Sequence, residues 1–305
     1  MFDYRQSAEF LKRCQVNDGS EIEGTVCPWE LNAGHSARED LHDTLEAMYI
    51  WTRKENREYC KENIVLAIKY AKRKFQWYKE EDEPLKSYDS IYYLLALHNY
   101  LKFEEDAELT NIYSYAKDYL IRYFKANPIH HLREYSNPYW KASILGLVLN
   151  DEEENIEFLR KWLDNDRVLI NPLLEKYHEG RGYQYPHDFL SEFGTKLLLM
   201  NLIIPERVDD NLNEAIPAGF VPRTIDEMSF NSSILYGLCT IKKSLSENSS
   251  LILNTIQNIE REIEGRMVKG GLKRGTYFPL NESWPTFFYY FARIFCDKLP
   301  VFDQT

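Results

Sequence analysis

The sequence predicts an all-α fold, an (α/α)6 toroid of six helical hairpins with an inner and an outer ring of helices, filling residues 1–305 as one domain. Three observations predict it. A short polar junction leading into an apolar stretch occurs six times, at Asp43 (DTLEAMYIW), Asp89 (DSIYYLLAL), Lys141 (KASILGLVL), Phe193 (FGTKLLLMNL), Asn231 (NSSILYGLC) and Trp284 (WPTFFYYFA). The period is roughly 50 residues, in the range of a repeated supersecondary unit. The stretches that follow these junctions are apolar on nearly every side, whereas the segments between them are amphipathic, so the two classes belong to different layers.

The amphipathic set begins with Ser7 to Gln15 and continues with Glu62 to Trp77, where Ile64, Ile68, Ala71 and Phe75 fall at helical spacing. Ile112 to Phe124 does the same with Tyr115, Tyr119 and Tyr123, followed by Glu154 to Trp162 and Leu251 to Ile263. The fifth member, near Asn211 to Ile216, is short and poorly patterned. Together the segments give about twelve helices. The amphipathic helices carry Lys69, Lys72, Arg73, Lys117 and Arg160 and can face water as an outer ring. SIYYLLALHNYL and SSILYGLCTI have no wet side and need burial all round, as an inner ring. Closing the ring leaves no repeat with a bare apolar edge, and the last copy, SWPTFFYYFARIF, is too apolar for the polar cap of an open solenoid.

At 44% hydrophobic residues the chain can bury a large core, and no stretch approaches the ~20 apolar residues of a membrane span. The start MFDYRQSAEFLKRCQ has no apolar signal core, so the cytoplasm is the default location. Cys14, Cys27, Cys60, Cys239 and Cys296 are odd in number and include no CxxC pair; they read as reduced, packed thiols. The net charge of −11 is spread along the chain in runs such as KEEDEP (79–84), FEEDAE (103–108) and NDEEEN (150–155), which argues against nucleic-acid binding. These runs fall where helix pairs turn and read as solvated loop tips, with no metal site.

Glycine- and proline-bearing stretches precede the inner helices at 17–38, 178–188, 216–227 and 269–283. Long loops inside compact domains carry function. In a ring they all fall at the end where inner helices begin, a mouth at which helix N-termini offer N–H groups to a small-molecule ligand of the central cavity.

The opening AEFLKRCQVNDGS (8–20), the later HDTLEAMYIW (42–51), and the inner-helix halves SYDSIYYLLALHNYL (87–101), FNSSILYGL (230–238) and SWPTFFYYFARI (283–294) resemble the repeats of terpenoid cyclase and protein prenyltransferase toroids. GGLKRGTYFP (270–279) stands where that family has its glycine-rich turn. The resemblance implies the toroid. Its catalytic signatures are missing. There is no Asp-x-Asp-Asp run, since Asp164-Asn165-Asp166 is followed by Arg167, and no cysteine has Asp two residues before it for the zinc site of the prenyltransferases. Asp209-Asp210 followed by Asn213 and Glu214 is a weak echo of the magnesium-binding run of ionising synthases. No metal or cofactor is assigned.

Candidate catalytic residues therefore come from position and chemistry: Asp43, Asp89, His187, Asp188 and Glu192. Asp43 and Asp89 stand at inner-helix starts, where Asp also serves as a cap, the commoner role expected for Asp43. His187 and Asp188 are adjacent, with Glu192 after and Arg181 and Tyr183 before, the densest polar and aromatic cluster of the chain and suited to acid–base work. Candidate ligand-binding residues are Trp29, His42, Tyr88, Tyr139, Trp140, Arg181, Tyr183, Tyr277 and Trp284. Their rings can stabilise a cation, stack on a sugar or fill the core. Three function classes follow: a divergent isoprenoid- or lipid-acting enzyme or binding protein, as the resemblance implies; a carbohydrate-active hydrolase or lyase, with paired carboxylates flanking a sugar; and a non-catalytic scaffold. The oligomeric state is left open.

Overall fold

The computed structural model describes residues 2–81, 87–127, 138–149, 153–165, 186–205, 226–241, 249–278 and 280–303. Among these the all-α architecture is realised in eleven helices: α1 (Tyr4–Cys14), α2 (Leu41–Thr52), α3 (Lys61–Glu80), α4 (Ser87–Tyr100), α5 (Ala107–Ala126), α6 (Pro138–Val148), α7 (Glu153–Asn165), α8 (Pro186–Ile203), α9 (Met228–Ile241), α10 (Ser249–Glu264) and α11 (Ser283–Cys296). The short segment near Asn211 to Ile216 lies outside the described residues. One departure from pure helix is a small antiparallel sheet, β1 (Met267–Val268), β2 (Gly271–Lys273) and β3 (Asn281–Glu282), in the glycine-rich stretch before α11. Its first turn has Lys269 and Gly270 at positive φ, the conformation that a two-residue hairpin turn requires.

The division into two helix classes holds. Every residue from Asp43 to Thr52 of α2 is buried, as are Asp89 to Leu97 of α4, Pro138 to Gly146 of α6 and Gly194 to Met200 of α8. The amphipathic helices bury one stripe each: Ile64, Ala67, Ile68, Tyr70, Ala71 and Phe75 in α3, and Leu109, Ile112, Ala116, Leu120 and Phe124 in α5. The tyrosine stripe expected for α5 is thus shifted. Tyr115 is exposed, because a phenol gains by keeping its hydroxyl at the wet edge while Ala116 and Leu120 turn inward.

Contacts divide the chain into two compact units, one of residues 1–121, 266–290 and 300–305 and another of 122–265 and 291–299. In the first, α2 packs against α1, α3 and α4. Gln15, just past α1, ties these elements together. Its amide donates to the Gly24 and Asn63 carbonyls at 3.2 and 3.0 Å and its oxygen accepts from Asn63 at 2.6 Å. The Asp18-Gly19-Ser20 turn follows, with Gly19 at φ 74° and the Ser20 N–H donating to the Asp18 carboxylate at 3.0 Å.

The far ends of α2 and α4 are closed by residues 300–303. Arg53 donates to the Pro300 and Val301 carbonyls at 2.9 and 2.8 Å and to Glu55, and Tyr49 donates to Val301 at 2.6 Å. Asp303 accepts from Arg57 and from the Lys54 N–H, both at 2.8 Å, while its own N–H donates to Asn99. Arg53 is buried, so Arg53→Met strands the Pro300 carbonyl and leaves the Val301 carbonyl and Glu55 each one donor short, with only Tyr49 and Tyr290 still donating to them. It is expected to cost about 3 kcal/mol in urea unfolding, and a loss below about 1 kcal/mol would show that this closure is ornamental.

In the second unit α8 packs against α6, α7 and α9, and α9 against α10. The α8–α9 crossing is backbone on backbone: a Cβ on Gly194 would lie 2.1 Å from the Ser233 carbonyl oxygen, and one on Gly237 2.5 Å from the Gly194 carbonyl oxygen. Cys239 and Cys296 are joined in a disulfide between α9 and α11. This corrects the expectation of five thiols: residues 57 apart in sequence meet in space, which neither an odd count nor a missing CxxC pair can exclude. Cys14, Cys27 and Cys60 are buried thiols as expected.

Candidate functional site

Asp43, Asp89, His42, Tyr88, Trp29 and Trp284 lie where α2, α4 and α11 begin, within the first unit. The 17–38 loop positions them. Thr25 accepts from the Asp40 N–H at 3.0 Å, the Val26 N–H donates to the Thr44 hydroxyl at 2.9 Å, and the Ser283 N–H donates to the Pro28 carbonyl at 2.9 Å. One loop thereby fixes the entry of α2 and ties the first residue of α11 beside it.

The cap of α2 is Asp40, whose carboxylate accepts from the Asp43 N–H at 3.2 Å. The expectation that Asp43 caps this helix is corrected. With the orphan N–H met one turn earlier, the Asp43 side chain points inward and is 5% exposed. Burial pushes its carboxyl well above the usual range, nearby Asp40 and Glu282 push the same way, and a hydrogen bond from Ser283 opposes them. One turn further, Glu46 is 1% exposed and is pushed up by burial and then by Asp43.

A native carboxyl raised above its unfolded value of about 4 binds its proton more tightly folded than unfolded. Stability is therefore full below about pH 4 and falls as pH rises from there to the native value. Asp43→Asn is expected to flatten that fall, so its melting temperature relative to wild type should climb between about pH 4 and 7. A constant offset across that window would show that Asp43 is not the group responsible.

Beside this buried pair stands a second, more accessible one. His42 Nε2 lies 2.5 Å from Asp89 Oδ1, and Tyr78, near the end of α3, donates to Asp89 Oδ2 at 3.0 Å. Asp89 is buried, with 7% of its side chain exposed, whereas 35% of the His42 side chain is open. The imidazole meets the Tyr88 ring edge-on at 4.5 Å and the Tyr92 ring at 5.3 Å, and the two phenols are 3.0 Å apart. Burial drives the Tyr88 and Tyr92 hydroxyls well above the ordinary phenol range, so both remain proton donors. A half-open imidazole bonded to a held carboxylate, with phenols at its side, is equipped to take up and return a proton.

Of the other candidates, Trp29 packs against His35 at 5.2 Å in the loop over α2. Trp284, on the first turn of α11, shares the Arg274 guanidinium with Phe278, and Tyr277 is 89% exposed. Tyr139 and Trp140 are buried in the second unit, where Trp140 stacks on Tyr236 at 5.9 Å and meets Phe291 at 5.2 Å. Arg181 and Tyr183 lie outside the described residues, as do the side chains of His187, Asp188 and Glu192 on the first turns of α8. Sequence reasoning missed Tyr78, Glu46 and Ser283. Glu46 carried a signal, a carboxylate in a helix otherwise apolar all round; Tyr78 and Ser283 carried none. Among the described residues no group of three or more histidine, cysteine or acidic side chains could hold a metal.

No protein-family model and no curated protein matches the sequence. A solved structure does match the fold. It is the unsaturated glucuronyl hydrolase from Bacillus sp. GL1, responsible for the degradation of glycosaminoglycan; the match covers 95% of this chain and 94% of that one at a TM-score of 0.56 and 15% identity. The chain has the fold of an α/α toroid. At that identity the likeness speaks to fold alone, and it is to a toroid hydrolase and not to a terpenoid cyclase or prenyltransferase. No helix among the described residues is long and apolar enough to cross a membrane.

Proposed function

We propose that the protein is a carbohydrate-active hydrolase that cleaves a glycosidic bond by acid–base chemistry at the starts of α2 and α4. The observation that carries this reading is the Asp89 carboxylate, held by Tyr78 on one oxygen and by the half-open His42 on the other. In this reading the His42–Asp89 pair exchanges a proton with the bond being cleaved or with the attacking water. Asp43, buried and raised, is the second carboxyl group of the kind that glycoside cleavage employs. Tyr88 offers a ring edge and a hydroxyl to a sugar docked beside His42, and Trp29 and Trp284 border the same helix starts. The fold likeness to an enzyme of glycosaminoglycan degradation supports a carbohydrate over an isoprenoid.

Incubating the purified protein with panels of neutral and acidic oligosaccharides, read by mass spectrometry, tests the reading. Expected products have gained one water across the cleaved bond; products carrying a new double bond would instead mark a lyase. Intact substrates throughout, together with retention of a prenyl diphosphate in native mass spectra, would turn the assignment to the isoprenoid class.

A further inference from the structure

Glu46 is the least expected residue of the site. Both of its oxygens are buried and neither accepts a full hydrogen bond. The titratable groups that act on it are Asp43 of its own helix and Asp40 of the cap, which repel its charge, Tyr92 from α4, whose hydroxyl faces it and favours that charge, and Tyr88 from α4, which lies close enough to feel it. Ser283 at the start of α11 serves Asp43, and Phe287 on the next turn of α11 packs on the Tyr92 ring at 6.3 Å. An apolar side chain at position 46 would spare the cost of burying a carboxyl without a partner, so as a purely structural residue Glu46 is a poor choice.

Tyr92 supplies the way out. Its hydroxyl lies 3.0 Å from that of Tyr88, and the Tyr88 ring abuts His42 at 4.5 Å. We propose that Glu46, Tyr92 and Tyr88 form a proton line that connects the interior of α2 to the His42–Asp89 pair, with Glu46 as its reservoir. The proposal deepens the acid–base reading above and rests on it for the acceptor. Glu46 gives its proton to the Tyr92 oxygen, the Tyr92 proton passes to the Tyr88 oxygen, and the Tyr88 proton passes to the acceptor docked beside His42. Both phenols end neutral, Glu46 ends as a carboxylate, and the reverse sequence, fed by water at the helix starts, restores its proton. Burial and the neighbouring Asp43 charge keep the reservoir loaded at a pH where an ordinary carboxyl has emptied.

Infrared difference spectra of the full chain test the line without recourse to turnover. Wild type minus Glu46→Gln at neutral pH is expected to show the C=O stretch of a protonated carboxyl that shifts in deuterated water. Tyr92→Phe should move that band and its titration midpoint, and Tyr88→Phe should move the midpoint in the same direction by less. A wild type without the band, or a band that ignores both phenylalanine substitutions, overturns the proposal. Should Glu46→Gln fail to fold, Tyr92→Phe and Tyr88→Phe minus wild type report the same band shift, and its absence from both is equally fatal. In turnover, Glu46→Gln and Tyr92→Phe should each lower the rate at least about tenfold, with the double substitution no worse than either. Additive losses would deny a single line. If no glycoside is cleaved by the wild type, the acid–base reading fails while the infrared result still decides the line.

Discussion

Asp89→Asn is expected to lower glycoside turnover by about 10²- to 10⁴-fold, the range for loss of a positioned acid or base, while far-ultraviolet circular dichroism stays that of the wild type. The amide preserves the shape of the side chain and can still accept from Tyr78 at one oxygen. It removes the charge that faces His42 Nε2 at 2.5 Å. The imidazole then loses the carboxylate that orients it, and its Nε2 faces a neutral amide in place of an anion. Tyr78→Phe leaves that charge in place and removes one hydrogen bond, so it should cost turnover far less. A variant pair with equal losses would mean that the carboxylate acts only through its fixed position, and turnover untouched by Asp89→Asn would remove the pair from the chemistry.

Gly194→Ala is expected to destabilise the protein by about 3 kcal/mol or more, near the upper end for overpacking. In an ordinary helix the same change stabilises by about 1 kcal/mol, so the sign itself is diagnostic. The new methyl would fall 2.1 Å from the Ser233 oxygen, 2.4 Å from its carbonyl carbon and 2.8 Å from the Ile234 nitrogen, all backbone atoms that no rotamer change can move. α8 and α9 must then separate. Gly146→Ala is the control, because its methyl would meet only side-chain atoms, the end of Ile203 at 3.3 Å and of Leu159 at 3.7 Å. Urea unfolding of the two variants should differ by more than about 2 kcal/mol; near-equal values would show that the α8–α9 crossing yields.

The inner helices were legible because α2, α4 and α6 have no polar face, and burial on every side is the only state such a helix tolerates in water. The same logic recovered Ile64, Ile68, Ala71 and Phe75 of the buried stripe of α3 and left out Ala67 and Tyr70 beside them. It misplaced the stripe of α5 because tyrosine counts as apolar by area and as polar by its hydroxyl. At the site, position along the repeat was enough to single out His42, Asp43, Tyr88 and Asp89, as each stands on the first turn of an inner helix. What Asp43 does there was not legible: the carboxylate that caps α2 is Asp40, three residues earlier, and the choice is made by Thr25 on the loop. Tyr78 belongs to an outer helix whose periodicity concerns packing, and only the return of the chain from α3 to α4 brings it to Asp89. The disulfide partners, likewise, are neighbours only after folding.

Residues 300–303 tie a distant stretch of chain to the ends of α2 and α4. Tyr49 and Val301 are separated by 252 residues, and at 5–20 residues per second a ribosome takes roughly 12 to 50 s to cover that distance. During that interval the far ends of α2 and α4 await these partners, with Arg53 in need of the two carbonyls that will satisfy it. The His42–Asp89 pair lies in the same unit as residues 300–303, so the unit that carries it is closed only after a stretch of chain far downstream of both residues has been made.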